Sequence, residues 1–312
     1  MESTLDFFQK ENKNYYKNKN ILITGATGGI GTILVETLSS LEANLLLISH
    51  DESKIKTKFH KLLNNDEEDV INPNSSGHIH FNPSKKIQYE IIDLENPKEI
   101  NEKFPSCIKK LKAKLDNVFI CHGIYMKSSI KDCNSEKFDK IMNINVRSVF
   151  HILSLCVPFL KISKGNCVIL SSMESFIPVK DGFLNTTTKA MINSLVQNSA
   201  LELSSFGVRI NAVAPGLTNT SHRDEKSNEF NNNMNVNVNV NIGKLWNNFG
   251  INDNNISKGE YFPLNKKILE PSNIVDTMLF LGSDEASFIT GEIIQNDNGY
   301  GINHDLSFTN NL

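Results

Sequence analysis

This chain of 312 residues has no long apolar runs, no paired cysteines and no charge of one sign. No stretch approaches the roughly 20 apolar residues of a membrane-spanning helix, so insertion in a bilayer is not expected. The five cysteines (Cys107, Cys121, Cys133, Cys156 and Cys167) are odd in number and form no C-x-x-C pair. That argues against a disulfide framework and a zinc ribbon, and for a reducing, cytoplasmic setting. With 32 Lys and Arg against 35 Asp and Glu, the net charge of −3 offers no electrostatic footprint for nucleic acid. The one basic run, Lys103 to Lys114, carries Phe104, Ile108, Leu111 and Leu115 at helical spacing and reads as a solvated helix face. The first twenty residues show no signal-peptide pattern. There is no lipidation motif or basic amphipathic helix for membrane attachment.

At 39% hydrophobic and 21% charged residues, the chain is too apolar to be disordered and too mixed to be a fibre. Seven short apolar runs read as strands: Ile21–Ile23, Leu45–Ile48, Tyr89–Ile92, Val118–Cys121, Cys167–Leu170, Val208–Val213 and Glu292–Gln295. Helical periodicity fills the gaps. Ile30, Leu34, Leu38 and Leu41 make one stripe, and Phe138 to Leu155 and Thr186 to Leu203 are the clearest others. Strands that are apolar on both faces and alternate with helices predict an α/β fold with a parallel sheet covered on both sides. Residues 1–19 read as a flexible arm, 20–305 as a single domain and 306–312 as a tail. A polar insertion at 62–86 and an Asn-rich, low-complexity insertion at 228–257 interrupt the domain.

The first functional signal is the run Ile21 to Gly31, ILITGATGGIG. A buried strand enters a glycine turn, and the turn enters an amphipathic helix. Glycines let backbone N–H groups approach a pyrophosphate, and the positive end of the helix dipole favours its charge. The spacing Thr24-Gly25…Gly29-Ile30-Gly31 resembles that of the short-chain dehydrogenase/reductase family, and the resemblance runs in register from about Asn20 to Gly301. It implies a Rossmann-type doubly wound parallel sheet and hydride transfer between NAD(P)(H) and a small-molecule carbonyl or alcohol. It also implies a homodimer or homotetramer, through the helix carrying Asn145 and the one after Asn185. The implied cofactor contacts are Thr24, Gly25, Thr27, Gly29, Ile30 and Gly31 in the turn, with Asp93 and Leu94 after the third strand. Gly123 after the fourth strand, Lys189, and Pro215, Gly216 and Thr220 after the sixth complete them.

The implied catalytic set is Asn145, Ser172, a Tyr and Lys189, and here the sequence departs from the family. The Tyr position is occupied by Asn185, and no tyrosine lies between Tyr125 and Tyr261. An Asn amide donates hydrogen bonds but releases no proton near neutral pH. Losing a general acid costs about 10²–10⁴ in rate. The fourth strand's Asn-Asn-Ala-Gly is also altered, to Ile120-Cys121-His122-Gly123. His122 and Tyr125 are alternative proton donors, or simply the wall and rim of the cofactor pocket. The expectation is an oxidoreductase with impaired or rewired proton transfer. The alternative is an inactive NAD(P)-binding pseudoenzyme acting as a sensor or interaction protein.

Ser49 stands where NAD-users place an Asp, and His50 where NADP-users often have an Arg. Asp51 and Glu52 argue the other way, although Asp51 also suits a helix N-cap. On balance NADP(H) is favoured over NAD(H). His78-Ile-His80 lacks a third ligand at a recognisable spacing, so no metal is expected. Trp246 and Phe249 fall where a substrate lid follows the Pro-Gly turn, and could close on a substrate or anchor the insertion.

Overall fold

The computed structural model describes residues 15–64, 86–220, 264 and 268–302. Most of the two insertions, His78, His80, Trp246, Phe249 and the 306–312 tail lie outside these residues. Seven strands form one sheet in the order β3-β2-β1-β4-β5-β6-β7. They are β1 (Asn20–Thr24), β2 (Asn44–Ser49), β3 (Ile87–Ile91), β4 (Asn117–Ile120), β5 (Asn166–Leu170), β6 (Arg209–Pro215) and β7 (Ile293–Asn296). Every pairing is parallel. All seven expected strands are present, and the order reverses between β1 and β4, as in a Rossmann-type sheet.

Among the described residues, six α-helical segments cover the sheet. They are α1 (Gly29–Ser40), α2 (Glu52–Asn64), α3 (Pro97–Lys110), a long stretch made of α4 (Ser135–Met142) and α5 (Ser148–Ser163), α6 (Phe183–Leu203) and α7 (Pro271–Gly282). Strand side chains alternate between faces, and the core divides accordingly. Leu22, Leu46, Val118, Ile120, Cys167 and Ile169 pack with α3, α5 and α6 on one face. Ile21, Ile23, Leu45, Leu47, Phe119 and Val168 pack with α1, α2 and α7 on the other. Apolar side chains on both faces of each strand are therefore buried, which is why the strands read as continuous apolar runs.

Three differences from the sequence reading have physical causes. Residues 62–64 close α2 and residue 86 immediately precedes β3, so the described ends of the first insertion belong to regular structure. The expected helix from Phe138 to Leu155 is interrupted by a π turn at Asn143–Arg147, a wider turn that periodicity does not reveal. By length and composition, Ser135–Ser163 as a whole is apolar enough to cross a membrane, a run not expected from sequence. Its inner residues Val149, Ile152, Cys156 and Leu160 are buried against the sheet.

The arm boundary also moves. Tyr16, inside the stretch expected to be a flexible arm, is fully buried in the second core layer. Its hydroxyl donates to the Leu279 carbonyl of α7 at 2.6 Å. An aromatic ring with a partner for its hydroxyl contributes more by burial than a short polar segment gains by disorder. Tyr16→Ala is expected to cost about 3–5 kcal/mol in urea unfolding. Tyr16→Phe, which removes only the hydrogen bond, should cost about 0.5–1.5 kcal/mol.

Candidate functional site

Parallel strands place all their carboxyl ends on one edge of the sheet, and the residues singled out from sequence collect there. Thr24 ends β1, Ser49 ends β2 and Pro215 ends β6. Asp93 follows β3, Gly123 follows β4 and Ser172 follows β5. The β2 and β3 ends are tied together by Ile92 N–H donating to the Ser49 carbonyl at 2.9 Å.

The glycine turn is built for close approach. Gly25 has φ +66°, and a side chain there would meet the His122 backbone nitrogen at 2.6 Å. A side chain at Gly29 would strike the Thr220 side chain at 2.7 Å, so Thr220 folds over the start of α1. That helix begins at Gly28 with no capping side chain and no acidic residue in its first turn. Its first N–H groups and the positive end of its dipole are left for an anion. These features fit a dinucleotide pyrophosphate. Thr27 Oγ1 lies 3.4 Å from Ser49 Oγ, which closes the turn against β2. Ile30 is part-buried against the second core layer and Leu94 against the first, while Asp93 is exposed, with its Oδ1 accepting from Glu95 N–H. Gly216 N–H donates to Asn296, and beside this connection a cavity of about 970 Å³ is lined by Asn219, Glu270, Asn273 and Asp297 among others. Neither Ser172 nor Lys189 lines that cavity.

His122 is a neutral brace. Ser148 Oγ donates its single proton to the Ile144 carbonyl, so it accepts from His122 Nε2 at 2.6 Å. His122 Nδ1 then accepts from Thr24 Oγ1 at 2.7 Å. Burial, reinforced by the nearby Lys189 charge, pushes the imidazolium down to about 3. A group so far below neutrality holds no extra proton to donate there, which removes His122 as a cationic acid. Tyr125 is exposed on the loop beyond.

The remaining residues form one polar cluster between β4, β5 and α6. Asn145, on the π turn, accepts from Ile124 N–H at 2.8 Å and donates to the Ile124 carbonyl at 2.9 Å. Its amide also donates to Thr188 Oγ1 at 3.4 Å. The loop after β4 is thereby held against α6. Lys189 Nζ donates to the Leu170 carbonyl at 2.8 Å. Burial pushes the Lys189 ammonium down to about 8, while the Glu174 charge acts to raise it. Ser172 Oγ accepts from Glu174 N–H at 3.2 Å, and Asn185 Nδ2 donates to Glu174 Oε2 at 2.5 Å. The structure thus brings Asn145, Ser172, Asn185 and Lys189 together, with Glu174 among them.

Sequence reasoning missed two residues. Glu174 was legible only as an acid four positions beyond a buried strand. Lys58 looked like one of several lysines on an exposed helix face, yet its Nζ reaches the Thr27 carbonyl in the glycine turn at 2.7 Å. Asn145→Leu keeps the bulk and removes both Ile124 bonds. It is expected to lower stability by about 1–3 kcal/mol in urea unfolding and to speed proteolysis of the loop after β4.

The chain matches the family model described as short chain dehydrogenase over residues 19–231. A tropinone reductase homolog from Arabidopsis thaliana is 27% identical over 286 residues, covering 91% of this chain and 93% of its own. A 3alpha-hydroxysteroid dehydrogenase from Mediterraneibacter gnavus is 28% identical over 283 residues, covering 90% of this chain and 96% of its own. Among solved structures, a 3-ketoacyl-(acyl-carrier-protein) reductase from Brucella melitensis, complexed with NADH, shares the fold with a TM-score of 0.70 at 18% identity. That match covers 92% of this chain and 99% of the reductase. With the family model spanning more than half of its length, the chain belongs to the short chain dehydrogenase family of oxidoreductases.

Proposed function

We propose that this protein is a nicotinamide-dinucleotide-dependent oxidoreductase acting on a small-molecule carbonyl or alcohol. The carrying observation is the uncapped start of α1, set in a glycine cradle at the β1–β4 switch point, with Asn145 and Lys189 of the polar cluster beside Gly123 at the end of β4. The relatives named above support the substrate class, and the NADH complex supports the cofactor class. When bound, the dinucleotide supplies or accepts the hydride. The glycine turn holds its pyrophosphate, Ser172 orients the substrate oxygen, and Asn145 fixes the loop that borders the site.

Within this reading the cofactor is NADP(H). Ser49 is uncharged at the end of β2 and cannot repel a 2′-phosphate. Asp51 is used as a helix cap, accepting from Lys54 N–H at 3.0 Å. Glu52 is paired with Lys56 at 2.7 Å and bonded to the Tyr89 hydroxyl. Lys58 brings a cation to the glycine turn beside Ser49. A charge-assisted phosphate contact contributes about 1.5–3 kcal/mol.

A second reading, cofactor binding without turnover, is favoured by Asn185, which lacks a transferable proton. Exposed Phe150 and Ile162 on α5 and Leu201 on α6 support a homo-oligomer in either case.

Titration of the purified protein with NADPH and NADH, followed by nicotinamide fluorescence, tests the proposal. NADPH should bind roughly ten- to a hundredfold more tightly than NADH, and Lys58→Glu should abolish the difference. Equal affinities in the wild type would overturn the NADP assignment. A folded protein that binds neither would overturn the oxidoreductase reading itself. Binding followed by reduction of a carbonyl panel separates the first reading from the second.

A further inference from the structure

Asn185 leaves a chemical gap, because the site has lost the hydroxyl that would give up a proton. A carboxyl group stands directly against that gap. Glu174 lies in the short 3-10 turn Met173–Ser175 that follows β5. It is 2% exposed, and Asn185 is 5% exposed. The Asn185 amide donates to Glu174 Oε2 at 2.5 Å, and the Glu174 backbone N–H donates to Ser172 Oγ at 3.2 Å. Residue 174 is therefore tied to Asn185 through its carboxyl and to the Ser172 hydroxyl through its backbone.

The turn itself does not explain the side chain. Its cap is the backbone bond from residue 174 to Ser172 Oγ, which any residue but proline could make. A buried carboxyl is costly unless it is paired or used, and such groups concentrate at functional sites. The ionisable group that feels Glu174 is Lys189 from α6, and Cys121 and His122 from the end of β4 interact with Lys189 in turn. Burial pushes the Cys121 thiol up to about 12 and the His122 imidazolium down to about 3, so both are neutral at neutral pH. Glu174 and Lys189 are thus the interacting charges of the cluster, the Lys189 ammonium feeling the Glu174 charge.

We propose that Glu174 is the acid–base residue of this site, its carboxyl exchanging a proton with the substrate oxygen in place of the missing tyrosine hydroxyl. The inference rests on the oxidoreductase reading. In the reducing direction a bound dinucleotide would supply the hydride, its ring C–H bond breaking and the ring becoming oxidised as the carbonyl carbon gains a C–H bond and the C=O π pair moves onto oxygen. The Glu174 O–H bond breaks as that oxygen takes the proton, which completes the alcohol. The carboxylate left behind is stabilised by the Asn185 amide and the Lys189 ammonium, and solvent returns its proton. Alcohol oxidation reverses each step.

The test uses the full chain with NADPH and the activated diketone 9,10-phenanthrenequinone as probes. Glu174→Gln should keep NADPH affinity within about twofold while kcat/KM falls by about 10²–10⁴. It should also lose the ionisation seen in the wild-type pH–rate profile. In Glu174→Ala, which opens room beside Asn185, added formate should restore turnover by about tenfold or more. The double variant Glu174→Ala/Asn185→Tyr should regain turnover without formate. Independently of activity, infrared difference spectra of the cofactor-free protein, titrated across neutral pH, should contain a carboxyl band that Glu174→Gln removes. Three results would each overturn the assignment: wild-type kcat/KM in Glu174→Gln, no formate response in Glu174→Ala, or no Glu174-dependent band. In each of these the oxidoreductase reading stands wherever the wild type turns over. A wild type that binds NADPH but does not reduce the diketone would overturn both the acid assignment and the active-enzyme reading.

Discussion

Every strand of the sheet runs in the same direction, and that constraint organises the rest of the molecule. Each connection must cross a face of the sheet, so both faces are covered and side chains of both parities are buried. Leu22 and Ile21 are neighbours in sequence yet belong to different core layers. The carboxyl ends all open on one edge, and there the chain reversal between β1 and β4 parts the flanking helices. Thr24, Gly123 and Ser172 come to that edge because of strand direction, although 99 residues separate the first two and 49 the last two.

Polar groups at this edge lie beneath a largely apolar architecture, and each is tied down. His122 links the end of β1 to α5 through Thr24 and Ser148. Asn145 replaces a regular helical turn with a wider one and clamps Ile124. Lys189 is held by the Leu170 carbonyl. The hydrogen bonds satisfy groups that would otherwise be costly to bury. They also give the cleft a fixed arrangement of donors, which electrostatic stabilisation of a reacting oxygen requires.

On the proposed reading, an asparagine stands where the family resemblance places a tyrosine, and that changes the chemistry of the position without emptying it. The phenol and the amide differ in size and in whether they can give up a proton. Here the amide is matched by a carboxyl from a neighbouring turn, and the pair carries both a fixed donor and an ionisable group. The charge balance is therefore set by contacts between the turn after β5 and α6, two elements that come together only in the folded chain.

The strands, the glycine turn, the α/β class and the family resemblance were legible from residue order alone. Apolar runs such as Leu45–Ile48 report burial on both faces, and the glycine spacing reports a backbone that must pass close to its neighbours. The positions of Asn145, Ser172, Asn185 and Lys189 were legible by register. What Tyr16, Glu174, Lys58 and His122 do was not. Tyr16 is anchored by a carbonyl 263 residues away. Glu174 acquires its partner across 11 residues and a change of element. Lys58 reaches back 31 residues to the glycine turn. The proton on His122 is assigned by two hydroxyls from separate segments. Local pattern determined where the elements run, because burial and backbone geometry are written in residue type and period. Tertiary structure alone decided which polar groups face each other, because hydrogen bonds and charge act through space between segments that the sequence keeps apart.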